Sequence, residues 1–149
     1  MKYSIIVPYF SRPELRFMLS SFVTLYGKRE DLEIIIVEDS KNFKNKSLHD
    51  ELMRVVDSFK GYLPIVVTQD EYPSYNPSKK FNLGVSISKG SIIILTNPET
   101  PHTLDILSKL DDVDFTDNYI VCDCCNMKLT KDNGDFFSST FQFLSWYQH

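Results

Sequence analysis

A chain of 149 residues with 42% apolar side chains and a formal charge of −4 can bury a real core and is too apolar for a disordered tail. The acidic balance excludes the basic face of a phosphate-tracking nucleic-acid binder; Lys41, Lys44 and Lys46 read as one solvated loop cluster. The opening MKYSIIV is too short for a signal peptide and no segment is long enough to cross a bilayer, so the sequence predicts a soluble, cytoplasmic protein.

Buried strands and helical runs alternate from the start. YSIIVPYF reads as a strand and leads into a helix over 12–26, with Leu15, Met18, Leu19, Phe22, Val23 and Tyr26 on one face. Ser11 followed by Glu14 forms a capping-box pattern, and Gly27 supplies the stop. LEIIIVEDS is a second strand, too apolar to keep one face wet and therefore central. A helix over 47–60 follows, with Leu48, Leu52, Val55, Val56 and Phe59 facing inward.

YLPIVVTQD reads as a third strand, with Pro64 near its start, where a missing donor costs least. The loop DEYPSYNP then leads to a helix over 78–89, the buried strand SIIILTN and a short helix over 103–110. NYIVCDCC is a fifth strand, and Asn133-Gly134 predicts a hairpin of 127–130 with 136–139. No further CxxC pair or spaced histidine pair accompanies Cys122, Cys124 and Cys125, which read as thiols buried on that strand.

The order β-α-β-α-β-α-β predicts an α/β fold: an open, mainly parallel sheet with helices on both faces. Ligands of such sheets bind beyond the carboxyl ends of the strands. Here those ends carry PYFSR, EDSKN, QDEYPSYNP and NPETPH. PYFSRPEL has no glycine, which excludes a dinucleotide fingerprint, and Gly84 and Gly90 do not make a phosphate loop. A diphosphate would then be held through a divalent cation, with water completing its shell.

Over nearly all of its length the chain resembles glycosyltransferase family 2, a GT-A family of Rossmann-like nucleotide-diphospho-sugar transferases. SIIVPYFSR is similar to the first strand and the turn after it. LEIIIVEDS is similar to the second strand, which usually ends in paired aspartates. NPSKKFNLGVSISKGSIIILTNPE is similar to the R-N-x-G helix, the glycine turn and the strand that closes on Asp-x-Asp.

The resemblance implies nucleotide contacts at Pro8, Phe10, Glu38, Asp39 and Asn82. Pro8 would fix the strand exit and Phe10 would stack on the base. Asp39 would accept from the base imide N–H or cap the turn with Ser40, Glu38 would meet the ribose or serve structure, and Asn82 would order its loop. It also implies a Mn²⁺ or Mg²⁺ site at Asn97 and Glu99, the positions of Asp-x-Asp, although Glu99 could serve only as a charge at a helix N-terminus. The chain departs from the family by a neutral amide at Asn97 and a longer acid at Glu99. It departs again at Phe81, where the family carries arginine; Lys79 or Lys80 would supply that charge. His102 reads as a group near the metal or as a surface histidine.

The implied activity is inverting transfer of a sugar from a nucleoside-diphosphate sugar, UDP-linked, to a glycan or other hydroxyl acceptor. The alternative is a nucleotide-sugar-binding module without turnover. The family's catalytic base and acceptor helix come after the segment that resembles SWYQH. The expectation is therefore a single domain over 1–149 that lacks the acceptor half and carries no assigned catalytic base. Its apolar C-terminal tail would be covered by homodimerisation or left mobile.

Overall fold

Strand β1, Tyr3–Tyr9, is buried at every position, as is β2, Leu32–Glu38. Strand β3, Ile65–Gln69, flanks β2, and β4, Ile92–Leu95, flanks β1, so the four run β3-β2-β1-β4, all parallel. The computed structural model describes residues 1–72, 74–116 and 119–121, which fall in two units, Met1–Val113 and Asp114–His149. All the elements named here belong to the first unit. The expected hairpin, the three cysteines and the C-terminal tail lie outside the described residues. So does the expected fifth strand, except for residues 119–121, which are in neither helix nor strand.

The predicted open parallel sheet with helices is the fold observed. Helix α1, Leu15–Tyr26, buries Leu15, Met18, Leu19, Phe22 and Tyr26, the stripe its periodicity marks. It packs against α3, Lys46–Phe59, on one side of the sheet, as right-handed crossovers require. Helix α4, Pro77–Ile87, covers the other side, where Phe81 and Leu83 meet Ile6, Ile35 and Val37. A short α5, Ile106–Leu110, is capped by Asp105, which accepts from the Ser108 N–H.

Three local expectations are corrected. The capping box at Ser11 and Glu14 does not form: the helix begins at Leu15, and Glu14 at its N-cap makes no side-chain cap bond. Pro13 disfavours a helical Arg12, and Ser11 sits at φ 44°, its N–H given to Asn42 Oδ1 at 3.2 Å. Part of the lysine cluster is not a loop but a helix, α2, Ser40–Lys44, capped by Asp39. Strand β4 is only half-buried, with Leu95 53% exposed, because it is the edge strand of the described sheet.

Two close approaches hold α4 and its exit on β1. A Cβ at Gly84 would stand 2.3 Å from Ile6 Cγ2, and one at Gly90 would stand 2.6 Å from Ser4 N. The buried Glu33 nearby accepts from Ser4 Oγ at 2.5 Å and from the Lys89 N–H at 2.6 Å. Burial opposes its ionisation, but these donors prevail and hold its pKa below the ordinary value. Gly84→Ala should destabilise the fold. Overpacking costs about 1–3 kcal/mol, more than the helix propensity gained over glycine (about 1 kcal/mol). A urea midpoint equal to or above that of the parent chain would contradict the packing.

Candidate functional site

All four strands end at one edge, so the loops after β1, β2, β3 and β4 gather there. Between β1 and β4 the direction of winding across the sheet changes: β1 leads towards β2, whereas β4 is reached from β3 across the other face. That switch point is where open α/β sheets leave a crevice. The local chemistry ends the strand pairing there. Even-numbered residues of β1 bond to β4, Lys2 accepting from the Ile92 N–H and Ile6 from the Thr96 N–H; odd-numbered ones bond to β2. Pro8 is the next even-numbered residue, and it has no N–H to offer. Its missing donor falls just past Leu95, where pairing has stopped.

The sequence-implied residues reach this edge by different routes. Phe10 leaves β1 38% exposed, its ring centroid 6.0 Å from that of Tyr75 at a 50° tilt. Glu38, at the end of β2, is fully buried and accepts from Asn42 Nδ2 and pairs with His49 Nδ1 at 2.8 Å. It joins β2 to α2 and α3 and presents no surface to a ligand. Asp39 is also fully buried: Oδ1 accepts from the Lys41 N–H at 2.9 Å as the cap of α2. Asn82 lies exposed on α4. Asn97 and Glu99 lie exposed on either side of the buried Pro98, in a turn closed by the Thr100 N–H on the Asn97 carbonyl.

Of the two lysines expected to supply a positive charge, Lys79 is exposed and Lys80 is buried. Phe81 points into the core, so the family's arginine position is spent on packing. Lys80, four residues before Gly84, shares the buried stripe of α4 and is itself 0% exposed. Its ammonium donates to Asp70 Oδ2 at 2.8 Å and lies 2.7 Å from Asp39 Oδ2 as a charge contact outside hydrogen-bond geometry. Burial opposes the charge, yet the two carboxylates outweigh it and raise the lysine pKa. The ring of Tyr75 lies 4.6 Å from the same ammonium.

The sequence reading did not single out Asp70, Tyr72 or Tyr75. Asp70 gives its N–H to the Glu38 carbonyl and accepts the Tyr72 N–H at 2.8 Å, which curls the β3–α4 loop back over the strand ends. Ser40 Oγ donates to the Tyr72 carbonyl, tying that loop to α2. Lys79, on the outer side, places its ammonium 3.5 Å from the Tyr72 ring. The available signal was the register of α4, which sets Lys80 in line with Gly84 on the buried side.

His102 is half-buried between α1 and the loop after β4, not a free surface histidine. Its ring packs 4.6 Å from Phe22, and Nδ1 is 2.7 Å from the Tyr26 hydroxyl. Burial pushes its pKa down to about 4. Among the described residues no three His, Cys, Asp or Glu side chains form a metal cluster. Glu99 and Asn97 still provide two exposed oxygen donors of the hard type that Mg²⁺ and Mn²⁺ accept when phosphate and water complete the shell. A shallow depression on the outer side of α3, lined by Lys46, Ser47, Asp50 and Arg54, includes none of these groups. No described helix is long and apolar enough to cross a membrane.

No family profile matches the chain, and no curated protein matches it. Solved structures do. A crystal structure of S. aureus TarS 1-349 superposes with a TM-score of 0.62 at 22% identity, covering 73% of this chain and 31% of that one. TarS 1-349 with UDP gives 0.62 at 21%, and with UDP-GlcNAc 0.62 at 22%; each covers 73% of this chain and 30% of that one. The chain thus spans about a third of the TarS 1-349 structures that it matches. At such identity the likeness is one of fold: the open parallel α/β sheet of this chain is shared with S. aureus TarS.

Proposed function

We propose that this chain is the donor-binding part of a family 2-like glycosyltransferase, which moves a sugar with inversion from a UDP-linked donor to a glycan or other hydroxyl acceptor. One observation carries the reading: Phe10, the buried Asp39–Lys80–Asp70 group and the Asn97–Glu99 turn all stand at the strand-end edge. It is supported by the shared fold of TarS, solved with UDP and with UDP-GlcNAc.

In this reading the Phe10 ring receives the base. Asp39 lies below, its carboxylate aligned by Lys41 and Lys80, and accepts the base imide N–H once binding uncovers it. Pro8 keeps the crevice open for the ribose and diphosphate. Glu99, with the Asn97 amide, would hold a divalent cation that offsets charge on the diphosphate. The acceptor hydroxyl attacks the anomeric carbon as the nucleoside diphosphate departs from the opposite face; its proton goes to a base outside the groups assigned here.

The test is calorimetric titration of the chain with UDP, with Mn²⁺ and in chelator. Binding should be much stronger with the cation, because a diphosphate next to Glu99 and the buried carboxylates is otherwise repelled. Glu99→Ala should abolish most of the metal dependence, and Asn97→Asp should tighten the cation. Phe10→Ala should weaken binding in either condition by about 1–3 kcal/mol, the value of a stacked base. Equal affinity in chelator would refute the cation at Asn97–Glu99. Absence of binding by the folded chain would refute the nucleotide site as a whole.

A further inference from the structure

Tyr75 is not part of the resemblance, yet its surroundings set it apart from an ordinary surface tyrosine. It is 50% exposed, while its neighbours are among the most firmly held groups of the strand-end edge. Immediately after it, Asn76 caps α4 by accepting the Lys79 N–H, and Pro77 opens the helix, so the backbone beyond the ring is fixed. Beneath the ring lies the Lys80 ammonium at 4.6 Å, itself clamped between Asp39 and Asp70. A ring over a desolvated cation is held by its π-face, which limits how it turns. Beside it is Phe10, with ring centroids 6.0 Å apart.

We infer that Tyr75 is the second aromatic wall of the base site, facing Phe10, so that a pyrimidine base is gripped between two rings. This inference rests on the nucleotide reading above. A base stacked on both sides needs about 7–8 Å between the rings, two layers of carbon contact. At 6.0 Å and a 50° tilt the two rings touch each other directly, so entry of a base requires them to part by about 1–2 Å and turn towards parallel. Gripping from two sides selects a flat heteroaromatic ring.

Calorimetric titrations of the full chain with UDP and, separately, with inorganic pyrophosphate test this, in the presence of Mn²⁺. Tyr75→Ala should weaken UDP roughly 5- to 150-fold, the equilibrium factor of one stacked base. Tyr75→Phe should remain close to the parent chain, and pyrophosphate affinity should be the same in all three. Tyr75→Leu, which keeps apolar bulk without a π-face, serves if the alanine variant is poorly folded; it should lose UDP affinity as well. UDP affinity unchanged or increased in the alanine or leucine variant overturns the second wall and leaves the nucleotide site standing. A parallel loss of pyrophosphate also overturns it, since the ring would then act through Lys80 or the loop. If the parent chain does not bind UDP, the nucleotide reading fails, and this inference with it.

Discussion

Lys80→Met should lower the unfolding free energy by about 3–5 kcal/mol, the usual cost of removing one partner from a buried ionic group. Asp39 and Asp70 are 0% and 3% exposed, and each has Lys80 within 2.8 Å. Without the ammonium, two carboxylates remain in a site with too little water to solvate them. Domains of this size are stable by about 5–15 kcal/mol, so the variant loses a large share of its stability. Adding Asp70→Asn to Lys80→Met should restore part of the loss, because one stranded charge disappears. Urea denaturation of the parent, the single and the double variant measures both effects. A single-variant loss below about 1 kcal/mol would mean that the lysine is effectively solvated.

The second large effect is a loss of stability in mild acid, centred on His102. Its pKa falls from 6.5 to about 4 because burial against Phe22 and Tyr26 disfavours the imidazolium. The unfolded chain therefore takes up a proton that the folded chain refuses. Stability is complete above pH 6.5 and declines as the pH falls from there towards about 4. The full decline is at most about 3 kcal/mol. Glu33, Asp31 and Asp111 have lowered pKa values, so their contributions are present above the ordinary carboxylate range and disappear only below it. Among the described residues with a shifted pKa, His102 is the one that loses stability between pH 6.5 and about 4.5. Thermal melts across it should show a slope that His102→Gln removes; a slope unchanged in that variant would locate the proton uptake elsewhere.

The sheet was legible because the strands of a parallel sheet are covered on both faces and read as unbroken apolar runs; SIIV, EIIIV and IIIL need no partner to be seen. Helix starts were less legible. Ser11 and Glu14 have the spacing of a cap, but Pro13 between them decides the backbone, and a pattern match does not weigh that competition. Helix α2 has five residues and little apolar periodicity; it exists because Asp39 caps it and Asn42 reaches Glu38. The strand-end loops follow from the order of elements alone. What could not be read was which groups inside them would face each other. The pairing of Lys80 with Asp39 and Asp70 joins α4 to two strand ends far apart in sequence, and no local spacing encodes it.

Pro8 has a consequence beyond the crevice it borders. Two neighbouring strands gain a hydrogen bond for each further pair of residues they align, so a gap between their ends is under constant pressure to close by extension. Thr96 is already beside β1, its N–H on the Ile6 carbonyl. One more step of the ladder would draw the Asn97–Glu99 turn into the sheet. A ring nitrogen at the next β1 position denies that step its donor, whatever the loop's own preference. The next donor from the other side would be residue 98, also a proline, so neither strand can bond across this step and the ladder stops after Thr96.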